Sequence, residues 1–105
     1  MEGGRERRAA KRVSYPCEVE CEGSGISRLA TRINDVSITG AFIDCRSSFP
    51  VGSTMTMRFR VRSTQIIADA EVRYCMPQIG MGVRFLNLKP EYLDAIQSVV
   101  EEAAK

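Results

Sequence analysis

The sequence contains no histidine and no tryptophan. Histidine is the commonest general base, so its absence excludes the Ser-His-Asp and Cys-His catalytic arrangements and every zinc site that uses histidine. No apolar run approaches the ~20 residues that a membrane helix needs, and no charged-then-apolar signal sequence opens the chain. We therefore expect no catalytic residues, no metal or cofactor and no insertion into a membrane, and we expect the chain to lie in the cytoplasm.

The positive charge of the chain is concentrated at its N-terminus. The 105 residues carry a net charge of +2, with 44% hydrophobic and 27% charged side chains, which is typical of one globular domain. Residues 1–12 hold five basic and two acidic side chains, whereas the other 93 residues hold ten basic and eleven acidic ones. Such a segment suits a compact anionic ligand, an acidic protein or a phosphate backbone, or it is a solvated tail. We expect residues 1–13 to form an arm that is mobile without a partner, and residues 14–105 to form the domain.

Four cysteines are present, and their spacing argues against disulfides. Cys17 and Cys21 lie in a predicted strand, which separates their Cα atoms by ~13 Å, too far for a disulfide. Cys45 and Cys75 are isolated, and no CxxC pair occurs. We therefore expect four reduced and mostly buried thiols, as in a cytosolic protein.

Hydrophobic residues alternate with polar ones from about residue 14 to residue 86, which is the periodicity of β-strands. The clearest run is residues 54–63, whose two faces carry Met55, Met57, Phe59 and Val61, and Arg58, Arg60 and Arg62. In the two later runs the residues predicted to point inward are Ile66, Ala68, Ala70, Val72 and Tyr74, and then Ile79, Met81, Val83 and Phe85. Three less regular runs precede these. Six short strands predict a small antiparallel barrel, because closing the sheet removes its exposed edges.

The periodicity changes to that of a helix near the C-terminus. An apolar stripe is predicted on one face of residues 90–104, made of Leu93, Ile96, Val100 and Ala103. Pro90 suits the first helical turn, and Asn87 or Lys89 is the expected N-cap. The sequence thus predicts an all-β protein, a six-stranded antiparallel barrel with one C-terminal helix packed across an open end.

Two short segments carry the residue types of a nucleotide site. They are RRAAKR (residues 7–12) and DVSITG (residues 35–40), and their candidate ligand contacts are Arg7, Arg8, Arg12, Asp35, Ser37 and Gly40. A guanidinium can donate two parallel hydrogen bonds to a phosphate or to guanine O6 and N7, and it can stack on a purine. A carboxylate can accept from guanine N1–H and N2–H₂. Together the two segments indicate a site for a guanine nucleotide.

The second segment has further geometric consequences. Asp35 and Ser37 are two residues apart, so in an extended chain both side chains project from one face. Gly40 permits a left-handed or sharply bent backbone and lacks a Cβ that would block a flat ligand. Taken alone, each segment is a weak signal, because arginine-rich arms are common and Asp, Ser and Gly are typical of any turn.

The chain resembles the PilZ domain family from Arg7 to the C-terminal helix. RRAAKR followed by VSYPCEVE is similar to the RxxxR segment that leads into the first strand of the family, and NDVSITGAFI is similar to its (D/N)xSxxG turn. The segments FPVGSTMTMRFRV, IIADAEVRY and IGMGVRFLNLKPEYLDAI match the family's strand order and closing helix. The resemblance implies a receptor for cyclic di-GMP, the bacterial second messenger.

The resemblance also implies a role for each motif residue. Arg8 and Arg12 are similar to the two family arginines that hold phosphates and guanine Hoogsteen edges. Asp35, Ser37 and Gly40 are similar to the turn positions that complete the pocket. The ligand would order the arm across the barrel and create a composite surface for a downstream effector protein.

Further candidates follow from the same resemblance. Arg7 is similar to an additional arginine that in this family accompanies two intercalated ligand molecules. Some members place an aromatic side chain against the ligand near the end of the fifth strand, and here Met76 is the candidate for that position. Gly80 and Gly82 are expected to let the barrel bend or to admit close packing, and either is also a candidate to border the ligand. Arg73 and Arg84 point outward by the alternation and are further candidates beside the ligand.

Two alternative functions fit parts of the sequence. One is a PilZ-like adaptor that binds a protein without nucleotide. The other is a small barrel that binds nucleic acid through the arm and the face carrying Arg58, Arg60 and Arg62. Against the second, aromatic side chains are sparse and the body of the chain is nearly neutral. We expect a monomer or a weak dimer in each case.

Overall fold

The computed structural model describes residues 11–23 and 28–103. These residues form six β-strands and one α-helix in chain order: β1 Val13–Gly23, β2 Arg28–Val36, β3 Gly40–Asp44, β4 Thr54–Val61, β5 Thr64–Met76, β6 Gly80–Leu86 and α1 Pro90–Ala103. Every strand pair is antiparallel, and the strands close into a barrel in the order β1-β2-β3-β6-β5-β4. The predicted fold class, a six-stranded antiparallel barrel with a C-terminal helix, is confirmed.

The core of the barrel is built from alternate residues of the strands. On β4 all four residues predicted to face inward are at most 3% exposed: Met55, Met57, Phe59 and Val61. Ile33, Ile43 and Ile66 are fully buried on three other strands. Removing each such side chain from water contributes about 1.5–3 kcal/mol to folding. The period-two pattern therefore sets the orientation of most of the sheet.

The alternation is interrupted near the end of β5. A register shift between Val72 and Tyr74 leaves Tyr74 45% exposed, so its predicted inward position is wrong. Ile79 was also predicted to point inward, but it is 57% exposed because it lies in the turn before β6. In this turn the Ile79 N–H donates to the Met76 carbonyl at 2.9 Å.

The helix begins where the sequence predicts and presents a slightly different face. Pro90 is its first residue, and the carbonyl of Lys89 accepts hydrogen bonds from two backbone N–H groups of the first turn. Lys89, rather than Asn87, therefore marks the N-cap. Ile96 and Val99 are the buried residues of α1, whereas Ala103 is exposed, so the predicted stripe is rotated toward Val99.

The chain direction gathers several segments at one end of the barrel, here called the helix end. Because neighbouring strands are antiparallel, β1, β3 and β5 begin at this end, and β2, β4 and β6 finish there. The turn between β2 and β3, the turn between β4 and β5, and the start of α1 consequently all lie at the helix end. Lys11 and Arg12 enter β1 from the same side.

All four cysteines are free thiols, as predicted. Only Cys21 is buried, however; Cys17 and Cys45 are half-buried and Cys75 is exposed, so the expectation of mostly buried thiols is wrong. Burial raises the pKa of the Cys21 thiol from 9.0 to about 12. Cys17, Cys21 and Cys45 are part of the packing of the barrel, and none of the four thiols is a cross-link.

Candidate functional site

Arg12 and Asp35, taken from the two predicted motifs, form an ion pair on the exterior of the barrel. Arg12 Nη1 donates to Asp35 Oδ1 at 2.8 Å. The pairing of β1 with β2 explains the contact, because Ser14 lies opposite Asp35 and Arg12 comes directly before β1. Both side chains remain accessible, at 43% and 31% exposure. Arg7 and Arg8, the other predicted contacts of the arm, lie outside the described residues.

A β-bulge turns Asp35 toward the exterior. Between β2 and β3 the register runs from Ile33 opposite Ile43 to Asp35 opposite Phe42, so β2 contains one extra residue. Ile33 is fully buried, and in a regular strand Asp35 would share its inward orientation. The extra residue reverses that orientation and places the carboxylate at the surface, where a ligand can reach it.

Ser37 fixes the turn that follows Asp35. It is 1% exposed, and its Oγ accepts hydrogen bonds from the N–H groups of Thr39 and Gly40 at 3.1 and 3.2 Å. The expectation that Asp35 and Ser37 project from one face is wrong, because the chain leaves the extended conformation at Ser37. In this structure the serine hydroxyl holds the turn, and a direct contact between Ser37 and ligand stays a prediction.

Gly40 is required by the close approach of two strands. A Cβ at this position would lie 2.1 Å from the carbonyl oxygen of Val83 on β6. Gly40 is not among the residues with positive φ, so it does not use the left-handed conformation that glycine permits. The lack of a Cβ matters here because β3 packs directly against the β6 backbone, which holds the turn beside Asp35 in place.

A row of four paired residues extends from Asp35 across the exterior of β2, β3, β6 and β5, and we call it the aromatic row: Asp35, Phe42, Gly82 and Tyr74. The Tyr74 ring covers Gly82, where a Cβ would lie 2.2 Å from the ring. The Phe42 ring covers Gly80 in the same way, at 2.5 Å. The two rings lie 6.2 Å apart between centroids. Phe42 is itself buried, at 9% exposure, so the accessible ring of this row is Tyr74, three strands across the sheet from Asp35.

Sequence reasoning missed both aromatic residues of this row. The alternation assigned Tyr74 to the core, and Phe42 received no functional role. A signal was present in Gly80 and Gly82, two glycines at alternate positions of one strand. Such glycines leave a bare stretch of backbone that a neighbouring aromatic ring can cover.

Two of the predicted ligand-adjacent arginines share one carboxylate. Arg73 and Arg84 approach Glu71 at 3.4 and 3.9 Å, and both side chains are more than half exposed. Arg84 is paired with Gly40 across the sheet, so this cluster lies beside the aromatic row. Met76 is opposite Gly80, two pairs further from Asp35 than Tyr74, and is 44% exposed.

The opposite exterior face carries charges of both signs. Arg58 pairs with Glu22, Arg60 donates to Gln65, and Arg62 pairs with Glu102. On β1, three glutamates alternate along the strand between the arginines of its two neighbours: Glu18, Glu20 and Glu22. This mixture gives little net attraction for a phosphate backbone, so the structure lends no support to a nucleic-acid surface here.

Within residues 11–23 and 28–103, no group of three or more histidine, cysteine, aspartate or glutamate side chains is placed to hold a metal ion. Over the same residues, no helix has the length and apolar character needed to cross a membrane.

The architecture is thus a closed six-stranded antiparallel barrel with a helix at one end and an arginine–aspartate pair on its exterior. A family model described as PilZ domain matches residues 6–102. The chain therefore belongs to the PilZ domain family. Comparison with curated proteins gives no match.

Solved structures with the same fold have low sequence identity to this chain. The Bacillus subtilis inhibitor of motility MotI/DgrA matches with a TM-score of 0.81 and 17% identity, over 93% of this chain and 52% of that one. The PilZ domain with c-di-GMP of Escherichia coli YcgR gives 0.72 and 19%, over 91% and 90%. The PilZ domain of CeSA from a cellulose-synthesizing bacterium gives 0.67 and 13%, over 91% and 100%. This chain thus spans about half the length of MotI/DgrA, and the likeness concerns the fold.

Proposed function

We propose that this chain is a bacterial receptor for cyclic di-GMP, which it binds on the barrel exterior between the N-terminal arm and the turn after β2. The observation that carries the proposal is the Arg12–Asp35 ion pair, which joins the two motif segments at one accessible place. Membership of the PilZ domain family supports the same ligand. The proposed role is binding and signalling rather than catalysis.

The exposed pair offers the two kinds of group that a guanine nucleotide needs. The Arg12 guanidinium has further N–H donors besides the one bonded to Asp35, and these suit a phosphate or the guanine Hoogsteen edge. Asp35 has a second oxygen, and its carboxylate suits guanine N1–H and N2–H₂. Binding guanine through both oxygens would draw Asp35 away from Arg12. The Arg12–Asp35 ion pair would then be replaced by several charged hydrogen bonds between the protein and the ligand.

We assign the aromatic wall of the site to Tyr74 in place of Met76. Tyr74 lies in the same cross-strand row as Asp35, whereas Met76 lies two rows away. Its ring is 45% exposed and is held over the bare backbone of Gly82, so one face is free to stack on a purine. Gly80 and Gly82 then act indirectly, by making room for the two rings.

The charges on this face are compatible with two intercalated ligand molecules. Two molecules carry four phosphate charges, of which Arg7, Arg8 and Arg12 offset three. Arg73 and Arg84, with Glu71 between them, add one net positive charge beside the aromatic row. Two stacked molecules are therefore part of the proposal, with Arg7 holding the second.

The proposed signal is the ordering of the arm over the ligand, which would create a surface for a downstream effector protein. Free thiols fit a reducing compartment, so we place this function in the cytoplasm. An adaptor that binds no nucleotide is the less favoured function, because both Arg12 and Asp35 are present and paired.

Calorimetric titration with cyclic di-GMP tests the proposal. Replacing Arg8 or Arg12 with alanine should weaken binding by about 1.5–3 kcal/mol, roughly 10- to 150-fold, because charged hydrogen bonds are lost. Arg60→Ala, on the opposite face, is the matched control and should bind like the wild type. Arg7→Ala should lower the number of bound molecules from two to one.

Three results would contradict this scheme at different levels. A wild-type chain that takes up no cyclic di-GMP refutes the receptor function, and wild-type affinity in both the Arg8 and the Arg12 variants refutes the assigned binding site. A stoichiometry of two that survives Arg7→Ala refutes only the role of Arg7.

A further inference from the structure

The start of β1 is separated from β4 by an open groove. β1 pairs with β4 only from Val19 to Gly23, opposite Phe59 to Met55. Before Val19, β1 pairs with β2 alone among the described strands, while β4 continues to Val61 beside β5. The two strands therefore diverge toward the helix end, and an open groove of about 1010 Å³ runs along this part of β1, lined by residues of β1, β2, β4 and β5 and by Arg62. The segment that follows the arm is thus attached to the sheet on one side only.

The side chain of Tyr15 spans this groove. The hydroxyl of Tyr15 accepts a hydrogen bond from the backbone N–H of Arg62 at 2.9 Å. Tyr15 lies three residues after Arg12, and its ring packs against the edge of the core. Arg62 lies in the two-residue turn between β4 and β5 and has a φ of 55°, a left-handed conformation that is unusual for arginine. The turn thus presents its N–H toward β1.

The same arginine reaches the C-terminal helix. Its guanidinium forms an ion pair with Glu102 in the last turn of α1. That turn contains no basic residue, and an anion is unfavourable at the C-terminal end of a helix dipole. Arg62 supplies the missing positive charge. Contacts therefore run from Tyr15, three residues after Arg12 on the same strand segment, through Arg62 to the end of the helix.

We infer that this connection, here called the Tyr15–Arg62–Glu102 bridge, transmits ligand binding from the arm to the C-terminal helix. The inference rests on the proposed function. Ligand that takes Asp35 for its base and Arg12 for its phosphate dissolves their ion pair and repositions the start of β1. Tyr15 then loses its hydrogen bond to the turn, and the last turn of α1 loses the support of Arg62.

Thermodynamic reciprocity determines whether breaking the bridge raises or lowers the affinity for cyclic di-GMP. If the ligand favours the state in which the bridge is broken, then breaking the bridge must favour the ligand by the same factor. Tyr15→Phe keeps the ring and removes only the hydroxyl. This variant should bind cyclic di-GMP about two- to tenfold more tightly than the wild type, as expected for the loss of one hydrogen bond that opposes binding.

Amide hydrogen exchange of residues 96–103, measured with and without saturating cyclic di-GMP, tests the bridge directly. In the wild type the ligand should accelerate exchange several-fold. In Tyr15→Phe and Glu102→Gln, exchange should already be fast without ligand and should change little when ligand is added. Arg60→Ala, whose side chain lines the same groove and donates to Gln65 rather than to the bridge, should behave like the wild type.

The outcomes separate this inference from the proposed function. Absence of binding in the wild type refutes the receptor itself. A wild type that binds the ligand but shows unchanged helix exchange, or a Tyr15→Phe variant with unchanged or weaker affinity, overturns the bridge and leaves the receptor function standing.

Discussion

At the scale of single residues, two glycines owe their identity to what lies where a Cβ would be. At Gly40 the obstacle is the backbone of β6, 2.1 Å away, which cannot move without opening the sheet. At Gly82 it is the ring of Tyr74, 2.2 Å away, a half-exposed side chain that can rotate. Gly40 is therefore needed for the pairing of β3 with β6, and Gly82 is needed for the position of the Tyr74 ring in the proposed site.

A double-mutant cycle distinguishes these two cases. Gly82→Ala should lower the free energy of unfolding by about 1–3 kcal/mol and should weaken cyclic di-GMP binding, because the new methyl group displaces Tyr74. Adding Tyr74→Ala should recover about 1 kcal/mol of the loss in stability, as expected for residues in contact. Urea unfolding measures the free energies of unfolding of the single and double variants.

Gly40→Ala provides the control for this cycle, since its clash is with backbone. Tyr74→Ala should not relieve the destabilisation that Gly40→Ala causes. Equal relief at both glycines would show that the Tyr74 ring is not what Gly82 accommodates.

At the scale of elements, turn geometry is fixed by single residues with positive φ. The turn between β5 and β6 has Pro77 and Gln78 at its centre, with a φ of 65° at Gln78 and a hydrogen bond from Ile79 N–H to the Met76 carbonyl. This is a type II turn, whose third position favours glycine. The turn lies at the end of the barrel away from α1, so changes here test stability without touching Arg12 or Asp35.

Gln78→Gly should stabilise the protein by about 0.5–1 kcal/mol. The left-handed conformation costs a non-glycine residue about 1–2 kcal/mol, and glycine removes this cost. The greater freedom of glycine in the unfolded chain offsets part of the resulting stabilisation. Thermal unfolding should show a higher midpoint. The matched control is Gln97→Gly on the exposed face of α1, which should lower stability by about 1 kcal/mol; a fall in both variants would contradict the assigned turn.

The sequence predicted the strands well and the local irregularities poorly. On β4 the alternation is unbroken, and every inward position was correct. Asp35 and Tyr74 each follow a register shift. One extra residue in a strand turns the side chains that follow it to the opposite side of the sheet. Hydrophobic alternation does not indicate where such an extra residue is inserted. The outward direction of Tyr74 therefore could not be predicted from the sequence.

The motif residues show the same division. The pairing of Arg12 with Asp35 could be expected, because both belong to segments that the family resemblance brings together. The burial of Ser37 could not, since a serine in a turn can point its hydroxyl outward or back to the N–H groups that follow it. That choice depends on the packing of β3 against β6, which no local pattern describes.

At the scale of the whole molecule, the barrel depends on one core whose members include a thiol. Cys21 is 1% exposed, and burial raises its pKa from 9.0 to about 12. Below pH 9 the thiol is protonated in both the folded and the unfolded chain. Between pH 9 and about 12 only the unfolded chain releases the proton, so stability falls as the pH rises.

We expect Cys21 to contribute a loss of about 1.4 kcal/mol in unfolding free energy for each pH unit above 9. Denaturant unfolding between pH 8 and 10.5 measures the slope. Cys21→Ala should be less stable at pH 8 but should lose stability less steeply. Val19→Ala truncates a neighbouring core side chain without removing a thiol and should keep the wild-type slope; identical slopes in all three proteins would contradict the assignment.

Both ends of the described chain leave the barrel on the same side. Lys11 enters β1 at the helix end, and the last turn of α1 returns there to meet Arg62. The positions at which Lys11 and Ala103 leave the barrel therefore lie on one side of it, beside the elements that cyclic di-GMP is proposed to rearrange. The geometry makes this barrel a natural insert for an energy-transfer reporter, with the nucleotide controlling the spacing of donor and acceptor.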